Sequence, residues 1–433
     1  MGEAYPGTAR VSRNIAKSTT SPFPCEVFER HNVDGLGRRI HGTLENCGGA
    51  KTPWGTVLTC EEGFQEMVVE AVDREGKGTI GEGTIASFNV LGSKYGWVVE
   101  VDPFDPASVP VKHTALGRFR HENVGLWVRE GQPVVGYMGE DRRGGHIWKF
   151  VSRDGYRGGG ANRARNLRLL SEGRLFVAFF DFGGKGRWIP MDLETEVNPV
   201  KGSRLPQVPP GAKKLGEVYA SLGAVLTDAF LAANLAGGTP TANPEYVVVH
   251  PKDGSVYIAF TAGLGNEAML FRAGLGQIWW LVEGGAPPAA TEFRWERFSV
   301  SGRRPGEGGY ANPDNLLFDS GGTLWMCTDM WTMSLNNPQD PAGVYGNSGV
   351  FVLPTAGPDA GKAFQYASGP CEAELTGPSF TPDEQTLFLS VQHPGEGYGI
   401  RDGDKVKAPR GSNWPSRALG APPRPAVVAI SRR

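Results

Sequence analysis

Six short stretches of the chain share one pattern, a polar or glycine turn followed by an alternating run of β-branched, aromatic and small residues. They are WGTVLTCEE, GQPVVGYMGED, EGRLFVAFFD, DGSVYIAFTA, GGTLWMCTDM and EQTLFLSVQH. Alternation with period two is how a half-buried strand reads, and a tight turn before it makes that strand the return arm of a hairpin. In HENVGLWVREGQPVVGYM, NPEYVVVHPKDGSVYIAF and NPDNLLFDSGGTLWMCT an outgoing strand precedes the turn, with Glu122, Glu245 or Asp314 near its start. A fourth copy, EAELTGPSFTPDEQTLFLSV, offers Glu374 in a similar place. Recurrent hairpins of this kind predict an all-β fold, a β-propeller of about six blades with helical and loop insertions between them. An irregular array of β-sandwiches is the other architecture the pattern allows. A single domain is expected over residues 1–433, with 1–45 an N-terminal extension and 397–433 a closing C-terminal segment. Helix-forming composition is confined to 161–173 and about 216–236, expected to be insertions packed outside the propeller.

The chain's 433 residues and 39% hydrophobic content suffice for a sizeable core. Its 62 glycines and 33 prolines are spread between apolar runs, the punctuation of a turn-rich β chain. Lys+Arg 44 against Asp+Glu 46 leaves a net charge of -2, so there is no basic field to hold nucleic acid, and none is expected as a partner. The longest apolar stretch, LGAVLTDAFLAANLAGG, is interrupted by Asp228 and Asn234 and falls short of the roughly 20 residues of a membrane span, so no membrane partner is expected either. The first residues, MGEAYPGTARVSRN, contain no apolar core of a secretory signal, though a leader removed earlier would leave the same sequence.

Innermost propeller strands line a central channel, so acidic residues at equivalent positions of successive blades are expected to converge on it. Carboxylates gathered in a poorly solvated channel stay ionised together only when a cation neutralises them, and hard oxygen ligands suit Ca²⁺, Mg²⁺ or a ferric ion. The run TCEE places Cys60 beside Glu61 and Glu62, and a thiolate among carboxylates fits a transition metal beside harder cations. A buried small hydrophobe next to solvated edge charges is the plainer reading of the same residues. Cys25, Cys47, Cys327 and Cys371 read as structural; with five cysteines and no C-x-x-C pair, neither a disulfide scaffold nor a thiol redox motif is indicated. The seven histidines form no HExxH, no phosphate-binding G-x-x-x-x-G-K-[ST] is present, and GKGTIG at 76–81 is followed by no helix, which disfavours a dinucleotide site. No G-x-S-x-G elbow is present.

Seven blocks, in order, resemble the PhoX-type alkaline phosphatases: NCGGAKTPWGTVLTCEE, GRFRHENVGLWV, GEDRRGGHIWKFVS, ANRARNLRLLSEGRLFVAFF, NPEYVVVHPKDGSVYIAFT, NPDNLLFDSGGTLWMCTD and LTGPSFTPDEQTLFLSVQHPGE, spanning 46–396. The resemblance implies an exported β-propeller phosphatase whose channel holds iron (Fe³⁺) and calcium (Ca²⁺) and which releases phosphate from small phosphoesters. It implies a periplasmic or extracellular setting reached by twin-arginine export. Carried over motif by motif, Cys60 looks like the iron-ligating thiolate, with Glu61 beside it, and Glu122, Glu245, Asp314 and Glu374 look like channel carboxylates. Asp141, with Glu140, occupies another acidic motif, and Arg142 and Lys149 are the basic residues nearest to it. Cys60, Glu122 and Arg142 are the catalytic candidates, with attack on phosphorus by a metal-held oxygen nucleophile. The chain departs from the family pattern at Tyr246, where tryptophan is usual, and at Glu140-Asp141, where two aspartates are common. It is also shorter than many members, which bears on the loops around the substrate. Phosphomonoesters, with phosphodiesters as an extension, are the expected substrates, and a monomer is the expected state. Two rival functions fit the same scaffold: a calcium-dependent lactonase or phosphotriesterase, and a non-catalytic propeller binding module.

Overall fold

The structure is a computed structural model that describes residues 15–18, 22–181, 183–261, 274–302, 309–395, 412–416, 418 and 421–431. The side chain of Cys25 and residues 397–411 lie outside the described part. The chain divides into two compact units, Met1–Pro244 with Glu283–Arg294, and Glu245–Val282 with Trp295–Arg433.

In the first unit, β1 (Ile15–Ser18), β2 (Arg39–His41), β3 (Asn46–Lys51), β4 (Val57–Glu61), β5 (Val98–Val101) and β6 (Val111–His113) form one sheet in the order β2-β1-β6-β5-β4-β3. The N-terminal extension thus enters the sheet: β1 runs antiparallel to β2 and parallel to β6. A second set follows as an antiparallel meander, β7 (Gly125–Trp127), β8 (Pro133–Gly139), β9 (Ile147–Gly155), β10 (Gly173–Phe180) and β11 (Lys185–Pro190). Residues 292–294 pair with β11 at its outer edge. These are the hairpins that the alternating runs predict, and their inward positions, such as Leu175, Val177 and Trp148, are buried.

The region of 161–173 forms only short turns around α1 (Arg163–Asn166). Between β11 and the second unit lie α2 (Leu215–Val218), α3 (Leu222–Thr227) and α4 (Ala229–Ala236). These last three correct an expectation. They are not packed outside: Ala224, Val225, Leu226, Ala229, Ala232, Ala233 and Leu235 are buried in one cluster with Cys60, Val98, Phe119, Trp148 and Val177. The reason is composition, since α4 is apolar almost all round and has no polar face to offer water.

The second unit holds, apart from Pro244, Glu283 and Glu292–Arg294, which belong to the first, the strands β12 (Pro244–Val249), β13 (Val256–Phe260), β14 (Gln277–Glu283), β15 (Glu292–Val300), β16 (Pro313–Phe318), β17 (Leu324–Thr328), β18 (Gly349–Leu353), β19 (Phe364–Ser368), β20 (Glu374–Phe380), β21 (Thr386–Gln392) and β22 (Ala426–Ser431). β16 to β19 make a four-stranded antiparallel sheet and β20 to β22 a three-stranded one, closed by the C-terminal strand. Tyr257, Ile278, Leu316, Leu324 and Phe351 fill one core, and Cys327, Val350, Leu375 and Leu389 another.

Candidate metal centre

In the first unit the metal-ligating atoms of Cys47, Glu62 and Glu122 lie within 4.8 Å of one another. Cys47 is exposed, Glu62 half-buried and Glu122 buried. Each arrives by a different device. Cys47 is the second residue of β3, where the pairing with β4 slips between Asn46 and Gly49. Gly49 is required there, because a Cβ at that position would stand 1.8 Å from the Leu58 carbonyl oxygen. Glu62 follows directly on the last residue of β4, and its N–H donates to the Glu45 carbonyl at 3.1 Å. Glu122 precedes β7, behind His121, whose ring stacks on Phe119 at 3.6 Å; Phe119 in turn stacks on Trp148 at 4.5 Å. His121 Nε2 donates to the Gly117 carbonyl at 2.8 Å, and burial lowers this histidine to about 3, so it is a neutral, fixed spacer ahead of Glu122. The Cys47 thiol donates to Glu122 Oε1 at 3.1 Å.

Cys60 and Glu61 are not in this cluster. Cys60 is fully buried in the core with Leu58 and Val98. Leu58 and Cys60 share the inward face of β4, and alternation carries the thiol away from solvent. Burial first, then the charges of Glu122, Glu61 and Glu62, pushes the Cys60 thiol well up, so it stays protonated. The Glu61 carboxylate is also fully buried and is consumed by donors, among them Lys112 Nζ at 2.6 Å. The sequence reading takes Cys47 as structural and Glu62 only as a neighbour of Cys60, whereas the structure brings these two together with Glu122. Their signal was the glycine pair after Cys47 and the position of Glu62 one residue beyond an inward-outward strand.

In the second unit Glu245 and Asp314 are each the second residue of a strand, β12 and β16, and bring carboxylate oxygens within 4.8 Å of each other. Asn315 donates to Asp314 Oδ1 at 3.0 Å and is itself held by Thr376 and by the Gly377 N–H. Glu374 opens β20 and lies 3.4 Å from His393 Nε2. Burial, then the charges of Asp314 and Glu374, pushes the Cys327 thiol well up. Asp314 is thus close to Glu245 and shares with Glu374 the surroundings of Cys327.

The remaining candidates are engaged elsewhere. Asp141 accepts from Asn243 Nδ2 at 2.8 Å. Arg142 grips Glu70 with both terminal nitrogens, at 2.9 and 3.4 Å, and lies 3.8 Å over the Phe230 ring. Arg120 reaches the same Glu70 carboxylate at 2.9 Å, so two guanidiniums share one partner. Neighbouring Glu140 is fully buried, and burial raises it to about 7. Lys149 is not available to a substrate: it is buried and binds Glu283 and the Ala290 carbonyl, all at 2.9 Å.

The donor set fits metal ions. A thiol with two carboxylates suits a transition metal, and an all-carboxylate group suits a hard cation. Exposure of Cys47 gives the first group the access that Cys60 lacks.

The family model described as Alkaline phosphatase PhoX matches residues 7–395. The structure of Pseudomonas fluorescens PhoX in complex with vanadate, a transition state analogue, is similar at 32% identity, with TM-score 0.76, over 97% of this chain and 75% of that one. An exo-1,5-alpha-L-arabinanase from a bovine ruminal metagenomic library aligns at 11% identity, with TM-score 0.28, over 64% of this chain and 65% of its own. No curated protein matches.

Proposed function

The chain belongs to the PhoX family of alkaline phosphatases and is a metal-dependent phosphoester hydrolase of propeller-type fold; from that premise we propose that Cys47, Glu62 and Glu122 hold a ferric ion, and that Glu245, Asp314 and Glu374 serve calcium. The observation that carries the proposal is the approach of one thiol and two carboxylates to within 4.8 Å. Bound ions supply polarisation of the phosphoryl oxygens and neutralise the charge that develops on them.

The chain's own groups do the rest. Cys47 must give up its thiol proton to act as a ligand, and the hydrogen bond it donates to Glu122 is given up with it. The His121 ring, stacked on Phe119 and bonded to the Gly117 carbonyl, fixes the residue just before Glu122. Arg142 and Arg120 both reach the Glu70 carboxylate, and Arg142 Nη1 also lies 3.6 Å from Glu140 Oε1; Arg142, whose guanidinium can grip a phosphate with two N–H groups, is our proposed phosphate contact. Cys60 and Glu61 take no ligand role in this proposal.

Phosphomonoesters are the proposed substrates, in a periplasmic or extracellular setting reached by twin-arginine export. Among the described residues no helix is long and apolar enough to cross a membrane.

The test is hydrolysis of p-nitrophenyl phosphate before and after chelation. Chelated enzyme should lose at least about 100-fold in rate, consistent with catalysis that rests on metal electrostatics. Iron and calcium together should restore it, and calcium alone should not. Recovery on calcium alone would remove the ferric site from the account.

A further inference from the structure

The Glu61 carboxylate accepts four hydrogen bonds, all from donors in the first unit. Oε1 takes the Leu44 N–H at 2.9 Å and Lys112 Nζ at 2.6 Å, and Oε2 takes the N–H groups of Gly96 at 2.9 Å and Trp97 at 3.0 Å. Both Glu61 and Lys112 are 0% exposed at their side chains. Lys112 Nζ also donates to the Lys94 carbonyl at 3.1 Å and lies 4.2 Å over the Tyr95 ring.

One of these bonds, from the Leu44 N–H, bears directly on a proposed ligand-bearing segment. Leu44 begins the stretch that runs through Glu45 to Cys47, and Glu45 stands at φ 44, a left-handed conformation that a non-glycine residue holds only when its surroundings impose it. The Glu45 carbonyl receives the N–H groups of Glu62 and Gly63, at 3.1 and 3.3 Å. Glu61 itself is the residue before Glu62. Its side chain therefore ties the start of the Cys47 segment to the β4 end that carries Glu62, and Lys112 fixes the side chain.

A fully buried ion pair is a poor way to gain stability alone, because desolvation of both charges offsets their attraction and an apolar pair of equal volume often does as well. Here the pair sits at the junction of two ligand-bearing segments. We propose that Glu61, held by Lys112, is a positioning residue that sets the separation of Cys47 and Glu62 and so the affinity of the first-unit metal site. The proposal rests on the reading of Cys47, Glu62 and Glu122 as ligands.

The same unit provides a matched control. Glu283 is buried against Lys149 Nζ at 2.9 Å and accepts from Tyr137 Oη at 2.9 Å and Trp188 Nε1 at 3.0 Å, again only donors. Glu61→Gln and Glu283→Gln each turn an amide N–H₂ toward donors, so both should lower thermal stability. Co²⁺ is titrated into chelated protein well below either melting temperature, with thiolate-to-cobalt absorption as the readout. Glu61→Gln should weaken Co²⁺ binding at least tenfold, and Glu283→Gln should leave it within about twofold of the parent. Equal effects in the two variants, or none in Glu61→Gln, would overturn the positioning role. Should Glu61→Gln fail to fold, Lys112→Met against Lys149→Met carries the same comparison, with the same two outcomes. Cys47→Ser separates this proposal from its premise, since an undiminished absorption band in that variant would place the thiolate elsewhere.

Discussion

Asp228 is a half-buried residue whose carboxylate accepts from Tyr219 Oη at 2.7 Å; desolvation of the carboxyl raises it to about 7, outweighing the Tyr219 hydrogen bond and the Arg118 charge. The folded state thus holds this proton more tightly than the unfolded chain does. Stability must therefore fall as pH rises from about 4 through about 7, and the penalty is fully present above that. Asp228→Asn keeps the acceptor for Tyr219 and removes the charge. In metal-free protein its melting temperature should gain on the parent's across that window, by an amount worth up to about 4 kcal/mol at 1.4 kcal/mol per pH unit. A difference that stays flat from pH 4 to 8 would show that Asp228 is not protonated in the fold. At this scale the sequence was partly legible. Glu122, Glu245, Asp314 and Glu374 are all buried at or near the start of a strand, as their spacing before each turn implied. Cys60 stands beside Glu61 and Glu62 in sequence, but strand alternation puts it on the buried face of Leu58, which is why the proposal gives the thiolate role to Cys47.

Among elements, the β3–β4 hairpin decides the site. The slip between Asn46 and Gly49 lets Cys47 approach Glu122, while Cys60 in the opposite strand turns inward. Gly49→Ala would drive a methyl group into the Leu58 carbonyl oxygen, which belongs to backbone and cannot swing away. It should cost about 3 kcal/mol, the upper end of overpacking effects, seen as a lower urea midpoint, and should lower iron content in whatever protein folds. Gly131→Ala, at a turn with open space around its Cβ though at φ 73, should cost less and spare the iron. Gly49→Ala with parental stability and iron would mean that the hairpin tolerates a wider spacing. The hairpins were legible from alternation where a strand has one buried and one wetter face, as β21 has, and from the turn before the apolar run where both faces are buried, as in β13. The bulge was not, since no residue pattern marks where pairing slips except the two glycines after Cys47. The helices from Leu215 to Ala236 were visible as helices, but their burial was not, because an alanine-rich helix carries little sign of which neighbour will cover it.

For the whole chain, family membership establishes phosphoester hydrolysis and dependence on metal, and the lactonase and binding-module alternatives fall away with it. Composition offers no basic field for nucleic acid and the repeat points to a propeller, but neither names the reaction. That came from seven motifs in order, a signal carried by residues and not by periodicity. The central claim is that the thiolate of the metal centre is Cys47 and not Cys60. It is tested most directly by elemental analysis of Cys47→Ala and Cys60→Ala, purified without chelators beside the parent. Cys47→Ala should emerge with little or no iron and Cys60→Ala with the parent's iron content; iron kept in Cys47→Ala and lost from Cys60→Ala would contradict the account.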